Sequence, residues 1–149
     1  PKFSPPEFVQ KRLQLRRGET VGFLELIRLI DDRVASCEHR FLPAAIARRF
    51  DPDALATESF IEVVRGIQPG PSVTADWELD VVPVFREAAA ALGITPGVLV
   101  VETVSAEYLK NGTPILVSRT LYRIDRVNVK AGGSWTISKR ANPRVTESH

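Results

Sequence analysis

Leu13-Gln14-Leu15-Arg16-Arg17-Gly18 and Leu92-Gly93-Ile94-Thr95-Pro96-Gly97 share one spacing, Leu-x-[Leu/Ile]-x-x-Gly. A helical pattern precedes each copy. A strand, a tight polar turn and a second strand follow each. The chain therefore reads as two copies of helix–strand–turn–strand with extra helices between them. Two hairpins and one further strand imply an α+β fold, a mostly antiparallel sheet with flanking helices, since such sheets tolerate one wetter face.

Working outward from the first copy, Ser4-Pro5-Pro6-Glu7 reads as a capped start for a short helix through Phe8, Val9 and Leu13. Residues 20–30 are strand formers, Asp31-Asp32-Arg33 is a turn, and 34–42 returns as the second strand of a hairpin. Pro43 opens a helix over 44–50, which Asp51-Pro52 breaks. A helix over 57–65 stops at Gly66. Val73, Ala75, Trp77, Leu79 and Val81 alternate with polar residues, as in a half-buried strand. An alanine-rich helix over 83–92 closes at Gly93, and the second hairpin runs over 98–109 and 115–124 around Asn111-Gly112. Residues 134–138 suggest an edge strand, and the last ten residues a frayed tail. The expected organisation is one domain: 1–129 carries the fold and 130–149 adds the edge strand and tail.

At 149 residues, with 44% hydrophobic and 26% charged, the chain can bury one core, and disorder is excluded. No apolar run approaches the ~18 residues of a membrane span. One cysteine, Cys37, rules out an internal disulfide, and with only His39 and His149 beside it a conventional zinc site is not expected. Neither a metal nor a cofactor is expected. A net charge of +2 is too small to imply nucleic-acid binding, and the basic pairs at 11–12, 16–17 and 48–49 read as solvated surface. No methionine is present, so either the initiator was removed or this is part of a longer chain. There is no phosphate-cradling glycine loop and no nucleophile elbow. His39 reads as a sheet histidine rather than a triad member, and Cys37 as a buried thiol.

The informative signal is polar residues on apolar strands. Arg28 shares a face with Leu24 and Leu26. Glu38 and Arg40 share one with Ser36 and Leu42, Glu102 one with Val100, and Ser118, Thr120 and Tyr122 one with Leu116. An unpaired ion costs several kcal/mol to desolvate. These groups therefore either pair on a solvated face or line a cavity whose arginines hold an anion.

Leu26-Ile27-Arg28-Leu29-Ile30-Asp31-Asp32, Glu38-His39-Arg40-Phe41-Leu42-Pro43, Ala91-Leu92-Gly93-Ile94-Thr95-Pro96-Gly97, Asn111-Gly112-Thr113-Pro114-Ile115 and Ser118-Arg119-Thr120-Leu121-Tyr122-Arg123-Ile124-Asp125-Arg126 stand in the order of a known pattern. Over roughly 8–129 the chain resembles the UTRA domain, the effector-binding domain of the HutC subfamily of GntR transcription regulators. The resemblance implies an internally duplicated, chorismate lyase-like fold and a small-molecule pocket. It also implies a cytoplasmic homodimer whose operator DNA is bound by a separate N-terminal winged helix. This chain has no room for that winged helix, so it is either the excised sensing half or a stand-alone relative. Carried over by position, Arg28, Glu38 and Tyr122 are the implied effector-binding residues, and Arg40, Ser118 and Arg119 complete the expected effector-binding set. Leu116 departs from the glutamate of sugar-phosphate sensors, leaving a small anionic metabolite such as a carboxylate as the expected effector. The alternative is an enzyme of the chorismate lyase type, but Arg119 stands where those enzymes resemble this chain and carry a needed glutamate.

Overall fold

The computed structural model describes residues 5–131 and 135–139. The proposed Ser4 cap and the tail beyond 139 lie outside them. Helix α1 (Glu7–Arg12) leads into the hairpin β1 (Val21–Ile30) and β2 (Arg33–Pro43). Helix α2 (Ala44–Ala47), a 3-10 turn (Pro52–Ala56) and helix α3 (Phe60–Ile67) follow. Then come β3 (Ser72–Pro83), α4 (Arg86–Leu92), β4 (Leu99–Leu109) and β5 (Pro114–Tyr122), and last the short strands β6 (Val127–Ala131) and β7 (Trp135–Lys139). The main sheet is antiparallel throughout, in the order β1-β2-β5-β4-β3.

The paired glycine motifs are a duplicated backbone, not only a duplicated spelling. Gln14 and Gly93 are both left-handed (φ 54 and 70), as are Gly18 and Gly97 (φ 85 and 88). Leu15 N–H bonds to Gln10 O as Ile94 N–H bonds to Ala89 O, and Glu19 N–H to Arg16 O as Val98 N–H to Thr95 O. Both helices thus end in the same left-handed cap and feed a strand through the same turn. Asp31 and Asp32, at φ 49 and 61, form the two-residue turn of the first hairpin, whose handedness matches strand twist. In the second, Gly112 takes φ 89 and Asn111 Oδ1 accepts from the Thr113 N–H.

β2 and β5 meet at the centre, so the two halves join along one seam. Each half's helix packs across that seam. Val9 and Leu13 of α1 bury against Val117 and Ala106, while Ala88, Ala89 and Leu92 of α4 bury against Cys37. The opposite face is covered at one end by α2 and α3, through Ile46, Phe60 and Val64 on Leu42, Ile115 and Leu116. Gly22 lets α2 lie directly on β1, because a Cβ there would collide with the Ala47 Cβ. Arg123 donates to the Leu92 carbonyl at the end of α4, and Arg126 to the Val34 carbonyl. The Arg123 side chain thereby ties α4 to its own hairpin, while the Arg123 N–H, bonded to the Ala35 carbonyl, and the Arg126 guanidinium fasten the halves together. Among the described residues no helix is long and apolar enough to cross a membrane.

Several expected boundaries move. The 44–50 helix stops at Ala47. Helix α3 starts at Phe60, because Ser59 and Glu62 form a capping box, and it runs through Gly66 to Ile67. Strand character persists to Pro83, so α4 begins at Arg86. The expected edge strand at 134–138 lies at Trp135–Lys139, and it pairs with β6 in a separate two-stranded sheet. The most consequential correction is in β3. A bulge between Ala75 and Glu78 breaks the single alternation. Ala75 pairs with Ala106 on the face of α1, whereas Leu79 pairs with Thr103 on the other face. At the sheet edge Val73, Trp77 and Val81 are each about half exposed.

Candidate functional site

The sheet face that α2 and α3 leave uncovered holds a cavity of about 620 Å³. Strand alternation builds it. Arg28 pairs with Ser36, which pairs with Tyr122. Glu38 pairs with Thr120, and Arg40 with Ser118. Thr103 and Ser105 of β4 extend the same rows. Five of the six expected residues, Arg28, Glu38, Arg40, Ser118 and Tyr122, line this one cavity.

At its centre Glu38, 5% exposed, lies between two guanidiniums. Arg28 Nε donates to Oε1 at 3.0 Å and Arg40 Nη2 to Oε2 at 2.7 Å. Burial pushes the Glu38 carboxyl upward, but Arg40 and then Arg28 outweigh it and hold it below its ordinary value. The carboxylate stays ionised and acts as a fixed acceptor that aligns both arginines. Arg40 also donates to Ser118 Oγ at 2.6 Å and rests over the Phe60 ring. Burial, then the Glu38 charge, raises the Tyr122 phenol, and the neighbouring hydroxyls of Thr103 and Thr120 only partly oppose this. The phenol is therefore held neutral. Two polar atoms on these walls, Ser36 Oγ and Arg40 Nε, are buried without a hydrogen-bond partner in the protein, as is Arg12 Nε beside α1. Arg28 is the exposed member, its side chain 63% accessible.

Arg119 does not belong to this site. It lies one residue out of phase with Ser118 and Thr120, so it projects from the opposite face toward α1 and α4. There it is sandwiched by Phe8 and Phe85, with its guanidinium carbon 5.2 and 4.9 Å from the ring centres. Its Nη2 lies 2.9 Å from His39 Nδ1. A guanidinium only donates, so Nδ1 accepts and the His39 proton sits on Nε2, 2.9 Å from Glu25 Oε2. Burial lowers the histidine's pKa, the Glu25 bond opposes this, and the Arg119 charge adds to it. His39 is therefore a buried, neutral sheet histidine.

Cys37 Sγ lies 3.4 Å from His39 Nε2. Burial and then the Glu25 charge push the thiol up to about 12, the reverse of a nucleophile's activation. Glu25, Cys37 and His39 hold donor atoms within 4.8 Å of one another, the arrangement among the described residues nearest to a metal-ligand set. A metal on Nε2 would move the imidazole proton to Nδ1, against a guanidinium that cannot accept it. The donor set does not suit an ion.

Sequence reasoning left out Thr103, Ser105 and Trp77 as cavity residues. The β4 hydroxyls were legible as the polar alternates of Glu102. Trp77 was not, since its face depends on the bulge. Leu116 is buried against α3, so no polar group replaces the absent glutamate there.

The UTRA domain family model matches residues 2–128. No curated protein matches the chain. Among solved structures it is similar to a GntR-family transcriptional regulator from Enterococcus faecalis V583, with TM-score 0.68, 19% identity, and 86% of this chain and 91% of that one covered. It is also similar to the C-terminal domain of the histidine utilization repressor from Pseudomonas syringae pv. tomato, with TM-score 0.64, 17% identity, and coverage of 83% and 85%. YydK from Bacillus subtilis superposes with TM-score 0.67 at 20% identity over 81% of this chain, and the match spans only 54% of YydK. At these identities the structures speak for the fold and the family model for membership: the chain belongs to the UTRA domain family, the effector-binding domains of GntR-family transcription regulators.

Proposed function

We propose that the cavity over β1, β2, β5 and β4 binds a small anionic metabolite and does not transform it. The carrying observation is the Arg28–Glu38–Arg40 ladder. Two guanidiniums face one carboxylate, and Arg28 is held at Nε with most of its side chain accessible. An anion there forms charge-assisted bonds to a fork that is already oriented. Sensing without chemistry suits these groups. The cavity's buried carboxylate is held ionised and doubly occupied, and the phenol is held neutral. The expected regulator is a cytoplasmic homodimer. Its ligand stabilises one arrangement of the two copies and so biases DNA binding by a domain outside this chain.

A thermal-shift screen of carboxylates and phosphates tests the proposal. A true effector stabilises by about 2.7 kcal/mol at a hundredfold excess over Kd. Arg28→Ala should abolish the shift while the protein stays folded. Consumption of a hit with turnover refutes the sensor reading. Sedimentation at micromolar concentration tests the dimer.

A further inference from the structure

We infer that Trp77 is an effector-contacting residue and that the effector carries a flat ring on a short arm ending in its anionic group; this rests on the anion-pocket reading above. The β3 bulge sets two residues, Asp76 and Trp77, against the single Ser105 between the pairs Ala75–Ala106 and Glu78–Val104. Asp76 absorbs the extra residue in a left-handed conformation (φ 50). Both neighbours of Trp77 are tied on the α1 side. Tyr108 Oη donates to Asp76 Oδ2 at 2.8 Å, and Arg12 Nη2 donates to Glu78 Oε1 at 3.1 Å and reaches the Asp76 carbonyl at 3.4 Å. Trp77 itself lines the cavity, borders a groove beside α1 at the sheet edge as well, and remains 49% exposed. An unbulged strand would have sent this position toward α1. The extra residue returns a large aromatic to the row of Ser105 and Ser118, and the clasp from α1 and Tyr108 holds it there.

Arg28 and Trp77 stand on the two edge strands, four inter-strand spacings apart and offset by about four residues along the strands, roughly 23 Å between backbones. Both side chains reach inward over a floor of hydroxyls. A ligand that touches both is elongated, with its charge at one end and its stacking face at the other. Indole faces favour flat π-systems over saturated rings of equal size.

The test uses 4-phenylbutyrate and 4-cyclohexylbutyrate, which share arm and charge and differ in ring flatness, titrated by calorimetry. The phenyl acid should bind the wild-type chain roughly three- to tenfold tighter. Trp77→Leu should remove that preference, Trp77→Phe should keep most of it, and Arg28→Ala should weaken both acids. Equal affinities in the wild type, or a preference that persists in Trp77→Leu, overturns the Trp77 assignment and leaves Arg28-dependent binding standing. No binding by either acid, or binding indifferent to Arg28→Ala, overturns the assignment and the pocket reading together.

Discussion

The two faces of the β1-β2-β5 strands carry the same kinds of group and put them to opposite uses. On one face Arg28, Glu38 and Arg40 form a guanidinium–carboxylate ladder beside unpartnered buried atoms and a large cavity. On the other, one residue out of phase along the same strands, Glu25, His39 and Arg119 form a chain that Phe8 and Phe85 close off. The difference lies in what is left over. In the first cluster one arginine faces open space. In the second the guanidinium meets an imidazole and two rings. A charge cluster on a strand is therefore a site only when its face keeps room for another group, and helix placement decides that here.

Substitutions can break or sharpen this contrast. The largest loss of stability is expected from Glu38→Ala, which strands the Arg40 guanidinium beside a vacated space and should cost about 3 kcal/mol in urea unfolding. Its loss of anion binding should follow from misaligned arginines. Arg119→Leu should cost roughly 2 kcal/mol, from a hydrogen bond and two ring contacts, and leave anion affinity unchanged. Lost affinity there would erase the distinction between the faces.

A pH series separates the clusters without mutation. His39 is held neutral, its pKa below the ordinary 6.5. The unfolded chain therefore takes up a proton first as pH falls below 6.5, and stability drops across the window down to the folded value. His39→Asn should flatten that step. Glu38, lowered from 4.5, contributes stability that is lost only below that pH. Glu38→Gln should remove the lower step and spare the upper one. The smallest effect on stability is expected from Arg28→Ala, within about 1 kcal/mol because the side chain is exposed. Its effect on anion binding should nonetheless be complete.

The paired glycine motifs made the duplication legible because a left-handed cap restricts residue choice, so the geometry leaves a mark in the sequence. The hairpins were legible for the same reason. Five cavity residues were readable from alternation with apolar neighbours. Arg119 was grouped with them, although strand parity places it on the other face. The β3 bulge left no such mark. Asp76 adopts its left-handed angle without a glycine, and the apolar pattern through Trp77 continues unbroken across the extra residue. The start of α3 was present as Ser59-x-x-Glu62. Closure of the cavity was not readable, since it depends on where α2 and α3 dock.

The seam between β2 and β5 also sets the order in which the chain can acquire its structure. Each hairpin joins residues close in sequence, but the seam pairs 36–41 with 117–122. Closing so long a loop loses chain entropy before any seam contact compensates. The halves should organise early and the seam should zip late, so that truncating Val117 or Leu121 slows refolding less than it speeds unfolding. Stopped-flow chevrons of Val117→Ala and Leu121→Ala measure that partition. A late seam makes the half-assembled chain one in which the inner edges of β2 and β5 are still unpaired. These edges invite the matching strand of another copy, so exchange of halves between chains is the misassembly this duplicated topology has to outrun.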